Sequence, residues 1–258
     1  MNFGLLGKSL SHSFSKPYFE KKFLDESKSE YTYSNFDLEN LDSFLTIVTE
    51  NKLSGLNVTK PYKETIIPFL NELDITAKEI GAVNCIKIIW KDEKPYLIGY
   101  NTDYYGFAQS IKPFLEPIHQ KALILGTGGA SKAVNFALKN IGVDVYFVTS
   151  GEKKTANSFL YSELNNHILN AFKLIVNCTP LGMYPKIEAC PDIPYELLNS
   201  EHLLYDLIYN PEETLFLKKG KEQGTVVING LNMLKLQADK AWEIWHTTSL
   251  SLIERRYS

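Results

Sequence analysis

Residues 121–150 read KALILGTGGASKAVNFALKNIGVDVYFVTS, and the order of residue types within them decides the fold. ALIL is a short apolar run of strand type, GTGG a turn, SKAVNFALKN an amphipathic helix and VDVYFVT a second strand. Glycines at 126, 128 and 129 let a backbone approach a pyrophosphate closely, and a helix starting near Gly129 aims its N–H groups at phosphate oxygens. Ser131 stands where the third glycine of the common pattern would be. The second strand ends in Thr149 and Ser150, where an acid would bind a bare adenine ribose. Lys153 and Lys154 follow, so this tip suits a 2′-phosphate better, although Glu152 opposes them.

Outward from this unit the chain keeps an α/β rhythm. Upstream, strands are expected near NFGLLG, YTYSNF, LSGLNV and VNCIKIIW, with helices near PYFEKKFL, NLDSFLTIVTE and ETIIPFLNEL. KDEKP reads as a turn joining VNCIKIIW to YLIGY, an antiparallel pair at one sheet edge. A helix at YYGFAQSIKPFLE follows Asp103, and the domain boundary is expected there. Downstream strands are expected at KLIVNC, LLYDLI and TVVING, and a last helix from about Asn232 through Trp245. The expected architecture is α/β in two parts, the second carrying the dinucleotide unit.

Composition narrows the function classes. With 258 residues, 44% hydrophobic and 22% charged, the chain can bury a sizeable core. A formal charge of −3 offers no basic face for nucleic acid. No apolar run approaches the roughly 20 residues needed to span a bilayer, and MNFGLLGKS lacks the apolar core of a signal peptide. Cys85, Cys178 and Cys190 are too few and too scattered for a disulfide framework or a zinc site. A reduced, cytoplasmic protein is expected, with a small molecule as its partner and no metal.

Three polar stretches are candidates for chemistry. In NVTKPYK (57–63), Pro61 suits the first turn of a helix and places Lys63 there, where the helix dipole disfavours a cation by roughly 0.3–1 kcal/mol. Such a lysine is either solvated or put there for a purpose. In HSFSKP (12–17), Ser13 and Ser15 lie on one side of an extended stretch. Ser15 can cap the following helix, and both hydroxyls can bind a carboxylate. In YNTDYYG, Thr102 or Asp103 can likewise be a cap, or Asp103 can be catalytic.

Taken together, HSFSKP, NVTKPYK, GAVNC, GYNTDYYG, GTGGAS, NCTPLGM, DLIYNPEET and NGLNMLKLQA resemble, in order and spacing, the shikimate dehydrogenases. The resemblance runs from about Gly7 to Gln237. It implies an α/β substrate-binding domain over 1–103, completed by the C-terminal helix within 235–258, a Rossmann-type NADP-binding domain over 104–234, and reduction of 3-dehydroshikimate to shikimate by NADPH. It implies that Ser13 and Ser15 hold the substrate carboxylate, with Tyr209 near it, and that Thr59, Asn84, Asp103 and Gln237 also bind substrate, the last three at ring hydroxyls. Lys63 and Asp103 become the catalytic pair at the hydroxyl that is oxidised. Gly126, Gly128, Gly129 and Ala130 match the phosphate loop, and Thr179, Gly230 and Met233 line the nicotinamide end.

The chain departs from the family pattern twice. The two arginines of NRTxxR are missing from TSGEKKT, which leaves the 2′-phosphate to Lys153 or Lys154. Lys16 also separates the second serine from Pro17. His12, His119, His167, His202 and His246 are dispersed without ligand spacing, Cys178 reads as packing, and so do Trp242 and Trp245. Two alternatives are a quinate/shikimate dehydrogenase, against which Ser15 argues, and a non-catalytic NADP(H) sensor, against which Lys63 and Asp103 argue. Monomer and homodimer are both compatible with the sequence.

Overall fold

The computed structural model describes residues 1–11, 13–151 and 155–247. Two compact units divide the chain, one formed by Met1–Thr102 with the segment from Ala238, the other by Asp103–Gln237.

The first unit contains β1 (Asn2–Gly7), α1 (Ser15–Asp25), β2 (Thr32–Asp37), α2 (Phe44–Glu50), β3 (Leu53–Val58), β4 (Glu72–Leu73), α3 (Ile75–Ile80), β5 (Cys85–Lys91) and β6 (Lys94–Tyr100). Its six-stranded sheet has the order β2-β1-β3-β5-β6-β4. β1 pairs in parallel with β2 and β3, whereas β5 is antiparallel to β3 and to β6. The strands alternate between two apolar layers, as a sheet covered on both faces requires. Leu6, Leu56, Val58, Ile86 and Leu97 face α2 and the 61–70 segment. Phe3, Leu5, Cys85 and Tyr100 face the aromatic side chains of α1 and the end of the last helix, among them Phe19, Phe23, Trp242 and Trp245. Phe3 stacks on Trp245 with ring centroids 4.7 Å apart, and the Trp245 indole N–H donates to the Ile86 carbonyl. On this same face Lys87 is buried, and its ammonium donates to the carbonyls of Ile244 and Thr247 at the end of that helix.

The second unit contains α4 (Asp103–Ile111), β7 (Lys121–Leu125), α5 (Gly129–Asn140), β8 (Asp144–Thr149), β9 (Ser158–Leu160), α6 (Asn166–Ala171), β10 (Leu174–Asn177), β11 (Leu203–Asp206), α7 (Leu215–Glu222) and β12 (Val226–Ile228). The first turns of α8 (Leu231–His246) also belong to it. The sheet is parallel throughout, in the order β12-β11-β10-β7-β8-β9. This is the doubly wound order of a dinucleotide fold, with its topological switch between β7 and β10. Ala122, Ile124, Leu174, Val176 and Tyr205 pack against α4, α5 and Met233 on one face. Leu123, Leu125, Ile175 and Leu204 pack against α6 and α7 on the other.

Three expectations need correction. ETIIPFLNEL is not a helix: residues 61–66 form successive turns, Ile67–Phe69 a single 3-10 turn, and Glu72–Leu73 becomes β4. Pro68 has no N–H to donate to residue 64 and its ring obstructs a continuing α-helix, so the bonds here close mostly over three residues, as from Phe69 N–H to the Ile66 carbonyl at 3.0 Å. The dipole penalty expected at Lys63 therefore has no helix to act from. Ser15 is the first residue of α1 rather than its cap; the cap position is Phe14, whose side chain makes no capping hydrogen bond. Finally, the β5/β6 pair is not at the sheet edge, because β4 pairs with β6 outside it.

Candidate functional site

In the first unit the candidate residues gather where the parallel strands end. Thr59 follows β3 and donates its backbone N–H to Leu6 O at 2.8 Å. Lys63 is half-buried, and its carbonyl accepts the Val83 N–H at 2.7 Å, which ties it to the GAVNC segment. The buried Asn84 is bound on all sides: its backbone bridges Tyr100 and Val58, and its side chain exchanges bonds with Thr102, which donates its N–H to Oδ1 at 2.6 Å and accepts from Nδ2 at 3.0 Å. Asp103 comes next in the chain and opens α4. Ser13 Oγ accepts the Ser15 N–H at 3.2 Å. The loop that carries them is held by Asp37 at the end of β2, whose two carboxylate oxygens accept the N–H groups of Ser9 and Leu10, each at 2.9 Å. Those two backbone bonds hold the Asp37 carboxyl below the usual carboxylate range.

Beneath these residues lies a pair that the sequence reading passed over. Tyr33 is buried and donates its hydroxyl to Asn57 Oδ1 at 2.8 Å. Desolvation raises its pKa well above that of a free phenol, so it stays a neutral hydrogen-bonding group. A polar residue within the apolar, buried stretch LNV that ends the strand LSGLNV is the signal that could have found Asn57.

In the second unit the candidates sit at the carboxyl ends of β7, β10 and β11, on either side of the switch point. Gly126 has φ +95°, and a Cβ on it would lie 2.9 Å from Thr179 Cγ2, so only glycine lets the two loops meet there. Gly128 is the cap residue of α5, exposed, with open space around it and no side chain capping the helix. Ser131 turns its hydroxyl back to the Gly128 carbonyl at 2.6 Å. Gly129 and Ala130 form the first turn of α5. The N-terminal end of the helix is thus open to an anion.

Thr179 is fixed by Asn177, whose Oδ1 accepts both its N–H at 3.0 Å and its hydroxyl at 2.7 Å. Asn177 in turn donates to Asp206 Oδ1 at 3.0 Å. Gly230 donates its N–H to the Ile208 carbonyl at 3.0 Å and lies directly against Leu207. Tyr209 is half-buried, and burial raises its pKa. Met233 is part of the core beneath. Gln237 is buried, packs beside Gly106 of α4, and donates its amide to the Leu234 carbonyl at 2.9 Å.

Residues 5–86 match the family model of the shikimate dehydrogenase substrate binding domain. The shikimate dehydrogenase (NADP(+)) of Methanosphaera stadtmanae is 37% identical, over 94% of this chain and 90% of that one. The chain belongs to the shikimate dehydrogenase family. The corresponding protein of Clostridium beijerinckii is 39% identical over 96% of this chain and 93% of its own. A shikimate 5-dehydrogenase of Thermus thermophilus, solved with NADP(H) and shikimate, superposes with a TM-score of 0.80 at 30% identity, covering 95% of this chain and 93% of that one.

For a shikimate dehydrogenase the first unit holds Ser13, Ser15, Thr59, Lys63 and Asn84, and the second holds Asp103, Gly126, Gly128, Gly129, Ala130, Thr179, Tyr209, Gly230, Met233 and Gln237. Lys153 and Lys154 lie outside the described residues, as does His12. Trp242 and Trp245 are core residues, and Cys178 is half-buried with its pKa raised by desolvation. Among the described residues no helix is long and apolar enough to cross a membrane.

Proposed function

We propose that the protein is an NADP-dependent shikimate dehydrogenase interconverting shikimate and 3-dehydroshikimate, one step in the biosynthesis of chorismate and the aromatic amino acids. One observation carries the reading: likeness to shikimate dehydrogenases over nine-tenths of the chain, with Lys63 and Asp103 in the motifs where that chemistry needs them. The residues present fit the cofactor. The Gly128 turn is free of obstruction, α5 lacks a side-chain cap, and Gly126 brings the Thr179 loop to the switch point.

The first unit binds substrate and the second binds the dinucleotide. The hydroxyls of Ser13 and Ser15 receive the substrate carboxylate, with Tyr209 near it; Thr59 also binds substrate, and Asn84 and Gln237 take ring hydroxyls. Asn84 is suited to this because its amide is locked by Thr102. The nicotinamide, when bound, supplies or accepts hydride at the ring carbon. In oxidation the Lys63 amine takes the proton of the reacting hydroxyl; in reduction its ammonium returns a proton to the carbonyl oxygen. Asp103 orients the Lys63 amine and binds the neighbouring hydroxyl. Three unpaired cysteines suit the cytoplasm, where thiols stay reduced.

The test is the change in nicotinamide absorbance with shikimate or quinate, each with NADP or NAD. Shikimate with NADP is expected to give the highest kcat/KM, at least about tenfold above quinate, since an unaccommodated hydroxyl costs roughly 1–3 kcal/mol. Equal or better use of quinate overturns the substrate assignment.

A further inference from the structure

Asp206, at the end of β11, is fully buried and lies outside every group assigned above to substrate or cofactor. Its Oδ1 accepts the Asn177 amide and the Ile208 N–H, both at 3.0 Å, and its Oδ2 accepts the Thr214 hydroxyl at 2.6 Å. Asn177 and Thr214 are themselves fully buried. An ionised carboxylate can only accept hydrogen bonds, so the proton directions of the whole cluster follow from it. The Asn177 NH2 must face Asp206, which turns its carbonyl to Thr179, and Thr179 must then give that carbonyl both its N–H and its hydroxyl proton. The Ile208 N–H bond fixes the turn after β11, whose Leu207 backbone lies against Gly230. Thr214 caps α7, where its Oγ also meets the Leu217 N–H.

We propose that Asp206 is a positioning residue for hydride transfer, setting Thr179 through Asn177, and Gly230 through the 207–208 turn, so that the nicotinamide is held in one pose at the switch point of the second unit. The proposal rests on the dehydrogenase reading. A single carboxylate thereby orders two loops, NCTPLGM and IYN, and the start of α8, three segments far apart in sequence. Stability alone does not account for it. Burial pushes the Asp206 carboxyl up to about 6 in spite of three hydrogen bonds, so its partners do not fully offset the loss of water. A neutral side chain of the same shape would hold β10 to β11 at less cost.

The experiment compares wild type, Asp206→Asn, Thr179→Val and the double variant by steady-state kinetics with shikimate and NADP, by the deuterium isotope effect with substrate deuterated at the reacting carbon, and by thermal unfolding. Asn has one acceptor oxygen for three donors: with that oxygen toward Asn177 and Ile208 its NH2 meets the Thr214 hydroxyl, and with it toward Thr214 its NH2 meets the Asn177 NH2 and the Ile208 N–H, so the single arrangement that the carboxylate imposes on Thr179 and the 207–208 turn is lost. Asp206→Asn is expected to unfold at or above the wild-type temperature, yet to lose about tenfold or more in kcat, with a larger isotope effect and a shikimate KM within about twofold. Thr179→Val, which leaves the buried carboxylate untouched, should reproduce the kcat loss, and the double variant should be no slower than the worse single one. If Asp206→Asn does not fold, the Thr179→Val rate and isotope effect decide. Wild-type kcat in either folded variant, or a loss of rate that merely follows a loss of stability, overturns the positioning role. An inactive wild type overturns the dehydrogenase reading and this proposal together, whereas an active wild type with a full-speed Asp206→Asn overturns this proposal alone.

Discussion

Replacing Gly230 by alanine places one methyl group where the structure has no room. The new Cβ would lie against the Leu207 carbonyl oxygen, 2.6 Å from its carbon and 3.2 Å from the Leu207 Cα. Carbon atoms rest at about 3.5–4.0 Å, so one of the two backbones must move by about 1 Å. Neither moves cheaply. Leu207 donates its N–H to the Asn177 carbonyl at 3.1 Å, and Gly230 donates to Ile208 at 3.0 Å and accepts from Leu234 at 3.0 Å. Overpacking costs roughly 1–3 kcal/mol and a broken backbone bond about 1 more, giving about 2–4 kcal/mol in total. At roughly 2–4 °C per kcal/mol this is a fall in Tm of about 5–15 °C. Calorimetry on Gly230→Ala measures it, with Gly128→Ala as the control. Gly128 has φ −76° and ψ 179°, a backbone that alanine adopts freely, with open space around it. The control should keep its stability within about 0.5 kcal/mol and lose affinity for NADP, because its methyl group stands in the phosphate turn. Equal Tm values for the two variants would refute the steric reasoning.

Lys63→Ala should lower kcat by roughly 10²–10⁴ while substrate binding weakens far less; a large rise in KM at preserved kcat would make Lys63 a binding group only. Alanine at both Lys153 and Lys154 should raise the KM for NADP and leave that for NAD nearly unchanged, and a parallel rise in both would place the 2′-phosphate elsewhere. Asp206 makes a prediction for pH. Its folded pKa lies above the ordinary 3.8, at about 6, so between these values the native state holds a proton that the unfolded chain has lost, and rising pH removes stability. Asp206→Asn has no such proton, and its stability relative to wild type should therefore grow from pH 4 to pH 7 by roughly 2–3 kcal/mol in urea unfolding. A pH-independent difference would contradict this.

Much of the fold is legible in the sequence because the parallel strands are continuous apolar runs buried on both faces, as at ALIL and LIVN. The dinucleotide turn is legible because only glycine serves at Gly126. The stretch ETIIPFLNEL misled because its apolar spacing suits a helix while Pro68 forbids one, and a count of apolar positions does not register a missing N–H. Ser15 reads as a cap by residue type, but the chain already enters helical geometry at Phe14. The supporting polar groups, Tyr33 with Asn57 and Asp206 with Asn177, were not legible. Each pair joins side chains from two different strands, which only the folded register brings near.

The last helix has a consequence for biosynthesis. Trp242 and Trp245 complete the aromatic layer over Phe3, Phe19 and Phe23, yet the ribosome makes them only after the whole of Asp103–Gln237 has been synthesised. Until then one face of the first sheet is uncovered, a hydrophobic surface waiting on a nascent chain. The second unit is continuous in sequence and can close on itself first. The order of folding therefore runs against the order of synthesis: the first sheet is made before Asp103–Gln237, yet its aromatic layer closes only when the helix that follows that whole unit arrives.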